Sequence, residues 1–272
     1  MKIYTLENTQ LNIKVLPELG GRIDSFIYKP TNKNWVWKNK KLPNTTVSKF
    51  SNYDDNWQGG WEELFPNDAV EKFSWGQGFD HGELWSSNWS VEEFSNEHIY
   101  LKATNLESTV LFEKKFEITD NKLTCKYTSR IEFEDYFLFK LHLAIPIEDS
   151  LIIKCNYGSV EKVDKNFGNI TDEKNIFEIK KNTGLFDFSY INLKEKQVVL
   201  EDRLKNTLML SYGDEYLDNF WLFQSQGGWR NHNVVVLEPA SNSKKNINDA
   251  VSDGKALKGP MSFKCTYQIE VK

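Results

Sequence analysis

Apolar residues recur with a period of two over most of this chain, and this alternation restricts the fold more than any other feature. In KLTCKYTSRIEF (122–133), Leu123, Cys125 and Tyr127 share one parity, whereas lysine and threonine residues share the other. Successive side chains of a strand point to opposite faces, so this pattern predicts a half-buried β-strand. The preceding TDNK predicts a hairpin turn from a further strand candidate, STVLFEKKFEI.

The same alternation returns in other segments, which turn residues separate at short intervals. These segments are GRIDSFIYK, EHIYLKAT, FLFKLHLAIPI, QVVLED, TLMLSY, NFWLFQS, NVVVLEP and FKCTYQIEV. Long capped helical patterns are missing, although GGWEELF (59–65) fits a single helical turn. Many short strands without a linker predict an all-β fold, a large antiparallel sandwich that forms one domain over residues 1–272.

Charge and composition limit the partners. The formal net charge is −5, and arginine occurs four times, at Arg22, Arg130, Arg203 and Arg230. Nucleic acid favours a basic surface, and phosphate is commonly bound by arginine forks, so both are poor matches. The N-terminus has no signal-peptide stretch, and no later apolar run is long enough to span a bilayer. We expect a cytoplasmic protein without a nucleic-acid or membrane partner, and either a monomer or a homodimer.

Cofactor and metal motifs are weak. The three cysteines are far apart and contain no CxxC pair, which favours reduced, buried thiols. GQGFDHG lacks the spacing of a dinucleotide-binding loop. Asp80, His81 and Glu83 are possible metal ligands, but no HxH or HExxH spacing supports them. The sequence therefore predicts neither a cofactor nor a metal.

Five of the nine tryptophans fall in a stretch rich in Gly, Asn and Asp: Trp57, Trp61, Trp75, Trp85 and Trp89. Loop tryptophans beside polar groups suit a sugar, because a ring face can cover apolar C–H groups while neighbours bind hydroxyls. A loop that folds onto its own aromatic cluster would give the same pattern, and the sequence leaves both interpretations open.

Two strand residues are candidates for proton transfer. In FLFKLHLAIP, Leu141 and Leu143 share one face, so His142 points away from the core if that face is buried. Glu238 follows a valine-rich run, where partial desolvation would raise its pKa and improve it as a base near neutrality. A structural histidine and an exposed strand-end glutamate are the ordinary alternatives. Of the other histidines, His98 suits a strand or turn and His232 a loop.

Five segments follow one another along the chain in this order: LPELGGRIDSFIYKPTNKNWVWKN, GGWEELFPN, DHGELW, KLHLAIP and VLEPAS. Together they resemble the galactose mutarotase-like superfamily of aldose 1-epimerases and their relatives. The resemblance implies a β-supersandwich with an open sugar cleft and an isomerase that needs no cofactor. It further implies that Glu238 is the general base, that His142 is the general acid and that His81 hydrogen-bonds the sugar.

Further substrate contacts are expected on the resembling segments and beside them: Trp85, Trp61, Asn67, Glu62, Asp218 and Arg22. Arg22 also fits a structural role, and Asp218 is the candidate for the aspartate that many members use on sugar hydroxyls. Members that bind sugar phosphates carry an arginine after the His-Gly motif, whereas Trp85 stands near that place here. A free hexose is therefore the expected substrate.

Two other functions fit the same segments. A non-catalytic carbohydrate-binding protein would use the cleft without anomer exchange, and a different isomerase or a lyase would use other groups. The discriminating feature is whether His142 and Glu238 converge on one point. A lyase would also need a cation near the carboxylate of a uronic acid, for which Arg22 and Arg230 are candidates.

Overall fold

The computed structural model describes residues 1–108, 111–163, 176–213 and 216–272. The strands within these ranges are β1 Tyr4–Glu7, β2 Leu11–Leu16, β3 Arg22–Tyr28, β4 Lys33–Asn34, β5 Trp61–Leu64, β6 Lys72–Phe73, β7 Gly76–Gln77, β8 Trp89–Phe94, β9 His98–Ala103, β10 Leu111–Thr119, β11 Lys122–Ile131, β12 Tyr136–Phe137, β13 Lys140–Pro146, β14 Ser150–Lys162, β15 Ile176–Lys180, β16 Phe186–Asp202, β17 Thr207–Tyr212, β18 Asn219–Gln226, β19 Asn233–Ala240, β20 Leu257–Lys258 and β21 Met261–Val271. The helices are α1 Tyr53–Asn56 and α2 Ile247–Ser252, with a 3₁₀ turn at Leu84–Ser86.

Antiparallel pairing arranges most of these strands as two layers that share β16. One layer runs β1–β2–β3–β5–β13–β19–β18–β16, and the other runs β8–β9–β10–β11–β21–β17–β16. Residues 186–191 of β16 pair with β18, and residues 197–201 pair with β17. Because β16 passes from one layer into the other, the chain forms a large antiparallel sandwich, as the alternation predicts.

The core lies between the two layers and follows the predicted parity. On β13, Leu141 and Leu143 belong to the central apolar cluster, whereas Ala144 packs in a separate cluster on the outer face. The predicted hairpin also forms. Thr119 at the end of β10 pairs with Lys122 at the start of β11, and Asp120 in the turn between them has a left-handed φ of 52°. The three cysteines are buried and free. No helix in the described ranges has the length and apolar character needed to cross a membrane.

The segment GGWEELF is a strand, so the prediction of a helical turn is wrong. Residues 61–64 pair with β13 and form β5. Trp61 joins the central core, while Leu64 joins the outer cluster. All four residues are buried because the segments that precede and follow β5 cover its outer face, and this hides the usual alternation of polar and apolar residues.

An ion pair is buried between the layers. Lys114 Nζ lies 2.6 Å from Glu63 Oε2, and both side chains are at most 2% exposed. Tyr127 donates a hydrogen bond to the same carboxylate, and the Lys114 ammonium lies 4.1 Å from the ring centroid of Trp89. These contacts satisfy charges that would otherwise be costly to bury.

Candidate active site

Four side chains from four adjacent strands form a row on the outer face of the first layer: Glu62, His142, Glu238 and Trp221. Glu62 pairs directly with His142, and Glu238 pairs directly with Trp221. Between β13 and β19, the pairs Lys140–Ala240 and Leu143–Leu237 have the same register. His142, which lies between them, is therefore opposite Glu238. Side chains directly opposite each other on antiparallel strands have Cβ atoms about 4.5–5.5 Å apart. The pairing thus sets a histidine between two carboxylates.

Glu238 is buried beside a cation. Its Oε2 lies 2.5 Å from Lys140 Nζ, which also lies 2.5 Å from Asp68 Oδ2 and 4.5 Å from the ring centroid of Trp221. Burial raises the pKa of Glu238, and the Lys140 ammonium opposes that rise. Glu238 is thus a desolvated carboxyl group, and among the neighbouring charges Lys140 favours its ionised form most strongly.

His142 is buried beneath aromatic rings. Its Nδ1 lies 3.2 Å from Tyr53 Oη, and its ring meets Trp57 edge-on with centroids 5.2 Å apart. Burial lowers the pKa of His142 well below 6.5, and the charge of Lys140 lowers it further. His142 is therefore neutral near pH 7 and uses Nδ1 toward Tyr53.

Glu62 is the second carboxyl group beside His142. Its Oε1 accepts a hydrogen bond from Tyr53 Oη and lies 3.9 Å from His142 Nδ1. Burial raises the pKa of Glu62 to about 7, although Arg22 and the Tyr53 hydrogen bond lower it. Glu62 consequently exchanges a proton in the neutral range, where an ordinary glutamate is ionised.

His81 lies above this row in a loop. Its Nδ1 lies 2.7 Å from Asp80 Oδ1, and its ring stacks on Tyr53 with centroids 4.0 Å apart. Burial lowers the pKa of His81, but Asp68 and Asp80 outweigh that effect, so the net shift is upward. The ring keeps 20% of its side chain exposed, which suits a polar ligand at the mouth of a site.

The His-Gly turn fixes this position. His81 and Gly82 have φ angles of 59° and 76°, in the left-handed region that favours glycine. A Cβ at Gly82 would lie 2.1 Å from the carbonyl oxygen of Phe65. Glycine at this place thus allows the loop to close against the end of β5 while His81 reaches Tyr53.

The tryptophan-rich stretch divides between core and site. Trp57 and Trp85 join the outer cluster with Tyr53, and Trp85 Nε1 donates to the Asp80 carbonyl. Trp61 and Trp89 lie in the central core, and Trp75 stacks on Phe73. Trp61 is 1% exposed and its Nε1 donates to a backbone carbonyl of β13, so the structure places it in the core and not in the row. The parity of β5 turns it inward.

Asp218 lies outside the row. It precedes β18, its side chain is 72% exposed, and it pairs with Lys196 at 2.9 Å. Asn67 is fully buried and donates to the carbonyls of Ala69 and Phe79, so it closes the loop that carries Asp68. Neither side chain lies in the row, and their contact with a sugar stays a prediction.

Arg22 lies beside Glu62 under the aromatic cluster. Its Nη2 donates to Asn44 and Gln58 at 3.1 Å each, whereas its Nε is buried without a partner. It lines a small enclosed space of about 10 Å³ together with Glu62 and other residues. Arg22 thus lies at the candidate site beside Glu62, and its hydrogen bonds to Asn44 and Gln58 also hold the neighbouring segments in place.

The metal interpretation gains no support. Glu83 turns away from His81 and accepts hydrogen bonds from the backbone of Glu107 and Ser108. Across the residues that the structure describes, His, Cys, Asp and Glu side chains form no group of three suited to a metal ion.

Sequence reasoning missed three residues of the site: Tyr53, Asp68 and Lys140. Lys140 has the parity of His142, which was a usable signal. Tyr53 and Asp68 lie outside the main strands, and only the folded loops bring them to the row. We call residues 53–57 the cover segment, because Tyr53 and Trp57 lie over His142.

Solved structures share this architecture. A galactose mutarotase related enzyme from Lactobacillus acidophilus aligns with a TM-score of 0.73 and 13% identity over 100% of this chain and 97% of its own. A galactose mutarotase-like protein from Lactobacillus casei gives a TM-score of 0.73 and 14% identity, with both chains covered completely. A candidate aldose 1-epimerase from Escherichia coli K12 gives 0.74 and 14% over 100% and 99% of the two chains.

No protein-family model matches the sequence, and no curated protein matches it significantly. At these low identities the solved structures establish the fold, which is galactose mutarotase-like.

Proposed function

We propose that this chain, which has the galactose mutarotase-like fold, is an aldose 1-epimerase-type enzyme that interconverts the α and β anomers of a free hexose. The observation that carries the proposal is the pairing register that brings His142 opposite Glu238 on one face of the sheet. Two proton-transfer groups on neighbouring strands can serve the anomeric hydroxyl and the ring oxygen of one sugar.

Ring opening needs one base and one acid. Glu238 takes the proton of the anomeric hydroxyl while His142 protonates the ring oxygen, and the open aldehyde rotates before the ring closes on its other face. Positioned groups of this kind each contribute about 10²–10⁴-fold. Tyr53 engages Nδ1 of His142, so Nε2 is the nitrogen that serves the sugar.

The surrounding residues have separate roles in this proposal. Lys140 keeps Glu238 from remaining fully protonated, because its ammonium opposes the effect of burial. His81 binds a sugar hydroxyl, and Trp57 and Trp85 provide ring surfaces. His142 and Glu238 are 7% and 2% exposed, so the cover segment must open when the sugar enters and then close again, which restores the contact of Tyr53 with His142.

The test is NMR of anomeric protons on freshly dissolved α-glucose and α-galactose, with and without the protein. We expect faster equilibration that is lost in Glu238→Gln and retained in the control Glu178→Gln, whose side chain is 60% exposed on β15. Acceleration that survives in Glu238→Gln would remove Glu238 from the mechanism.

A non-catalytic carbohydrate-binding protein is the second candidate, because Glu238 is engaged by Lys140 and His142 is covered. Saturable binding of a hexose without any acceleration of anomer exchange would favour it. Absence of both would instead direct the search to uronic acids and a lyase, with Arg22 as the cation beside the row.

A further inference from the structure

Tyr53 bridges the two groups that flank it on β5 and β13. Its hydroxyl bonds to Glu62 Oε1 and lies 3.2 Å from His142 Nδ1. Glu62 and Tyr53 are each 2% exposed, so bulk water does not replace either contact. Glu62, Tyr53 and His142 thus form a continuous hydrogen-bonded chain behind the histidine.

We propose that Glu62 and Tyr53 form a proton relay that supplies His142 with the proton it gives to the sugar ring oxygen. The proposal rests on the anomer exchange proposed above and assigns two positioning residues to it. The observation behind it is a single hydroxyl that contacts both a buried carboxyl group and Nδ1 of His142.

The relay provides a proton donor for a histidine that is itself rarely protonated near pH 7. Burial lowers the pKa of His142, so its imidazolium form is scarce near pH 7. Burial raises the pKa of Glu62 to about 7, so this carboxyl group still holds a proton there. The proton that general-acid catalysis requires is therefore stored on Glu62 rather than on His142.

The proton movements balance. Tyr53 donates to Glu62 when Glu62 is a carboxylate, and protonation of Glu62 reverses this hydrogen bond. The Glu62 O–H then donates to Tyr53 Oη, the Tyr53 O–H donates to His142 Nδ1, and His142 carries its proton on Nε2. When Nε2–H protonates the ring oxygen, Tyr53 gives its proton to Nδ1 and Glu62 gives its proton to Tyr53. Glu62 ends as a carboxylate, His142 ends as the Nδ1–H tautomer, and ring closure reverses each transfer.

Other charges also act on Glu62. Arg22 approaches from β3 and His81 from the loop above, and both lower its pKa, whereas Glu63 on the same strand raises it. Tyr53 from α1 lowers it by hydrogen bonding, and His142 faces it from β13. Burial and the charge of Glu62 raise the pKa of Tyr53 and keep its phenol protonated, and Glu238 and Asp54 act in the same direction.

The experiment measures the pH dependence of kcat for anomer exchange in the wild type, Tyr53→Phe, Glu62→Gln and the double variant. We expect wild-type kcat to fall as pH rises through about 7, because Glu62 loses its proton there. Each single variant should lose about 10²-fold in kcat together with this limb. The double variant should lose no more than either single variant, because both substitutions break one chain.

A change confined to KM, an unchanged pH limb, or losses that multiply in the double variant would overturn the relay. A second measurement does not depend on turnover. In ¹⁵N NMR, with His142→Asn used for assignment, His142 should pass from the Nε2–H to the Nδ1–H tautomer as Glu62 ionises, and Glu62→Gln should abolish the change.

The two proposals fail in different ways. A tautomer that stays constant across this pH range would refute the relay, whatever the activity. A tautomer change without any anomer exchange would support the hydrogen-bonded chain and refute the proposed function.

Discussion

Lys140 places a buried ammonium beside the row, where it bridges Asp68 and Glu238. Lys140→Met should raise the pKa of Glu238 further, since burial then acts without its strongest opposing cation and only His81 still lowers the pKa. The base form would appear only at higher pH, so the acidic limb of kcat/KM should move upward. Unpaired buried carboxylates should also lower the free energy of unfolding by roughly 3–5 kcal/mol.

The pH profile of kcat/KM and urea unfolding measure these two effects. Lys154→Met is the matched control, because Lys154 pairs with a glutamate at an exposed position. A pH limb that stays in place would mean that Lys140 does not control Glu238.

Ionisation of Glu62 should lower the free energy of unfolding. Its folded-state pKa of about 7 lies above the ordinary 4.5, so the folded protein holds this proton more tightly than the unfolded chain. The free energy of unfolding therefore falls as pH rises from 4.5 to 7 and then stays lower by about 3 kcal/mol. Glu62→Gln should remove this loss.

Urea unfolding of Glu62→Gln between pH 4.5 and pH 8 measures the effect. The advantage of the variant over the wild type should grow across the titration range, whereas Glu178→Gln should show no such trend. A difference between Glu62→Gln and wild type that is constant with pH would contradict the raised pKa.

Individual residues were predictable where parity governs them. The orientation of His142 away from the core followed from its apolar neighbours Leu141 and Leu143. Tyr53 was not predictable, because a residue in a single helical turn reaches the row through tertiary folding alone. The inward side of Trp61 was missed because its segment suggested a helical turn.

At the scale of elements, the His-Gly turn is the most constrained connection of the site. Gly82→Ala should destabilise this turn for two reasons. The φ of 76° is unfavourable for alanine, and the new Cβ would lie only 2.1 Å from the Phe65 carbonyl oxygen. We expect a loss of roughly 1–3 kcal/mol or more in stability and weaker sugar binding, because His81 moves off Tyr53.

Gly254→Ala separates the two causes, since Gly254 has a similar φ of 67° but open space around its Cβ. Thermal unfolding and a hexose titration of both variants provide the measurement. Equal losses of stability in the two would mean that backbone strain alone matters and that contact with Phe65 does not.

Strands with one solvent-facing side were predictable, because alternation is their direct signature, as β11 and β21 demonstrate. β5 was not, since burial of both its faces removes that signature. The sequence suggested only the second half of β16, because its residues pair with different neighbours along the strand.

At the scale of the whole molecule, the Glu63–Lys114 pair joins the two layers. Lys114→Met should lower the free energy of unfolding by roughly 3–5 kcal/mol, because the Glu63 carboxylate remains buried without its cation. Adding Glu63→Gln should recover part of the loss, since an amide oxygen can still accept from Tyr127. Denaturant unfolding of the single and double variants measures both effects.

Lys205→Met is the surface control, because Lys205 is 78% exposed in its pair with Glu201, and it should change stability little. If the double variant were no more stable than Lys114→Met, the unpaired carboxylate would not be the cause of the loss.

The sandwich itself was predictable from many short alternating strands, but the location of the site was not. The alternation of apolar and polar residues identifies an inner and an outer face for each strand. It does not predict which part of the outer face will be covered by loops. The row forms only because β5, β13, β19 and β18 are neighbours in one layer, and β5, β13 and the β18–β19 hairpin are distant from one another in sequence.

The row and the cover segment should differ in amide hydrogen exchange. His142 and Glu238 lie on strands with hydrogen-bonded neighbours on both sides, so their amides should exchange only through large-scale unfolding. α1 spans only Tyr53–Asn56, and its amides should exchange through local opening. The protein can therefore admit a ligand from above while the spacing between His142 and Glu238 stays unchanged.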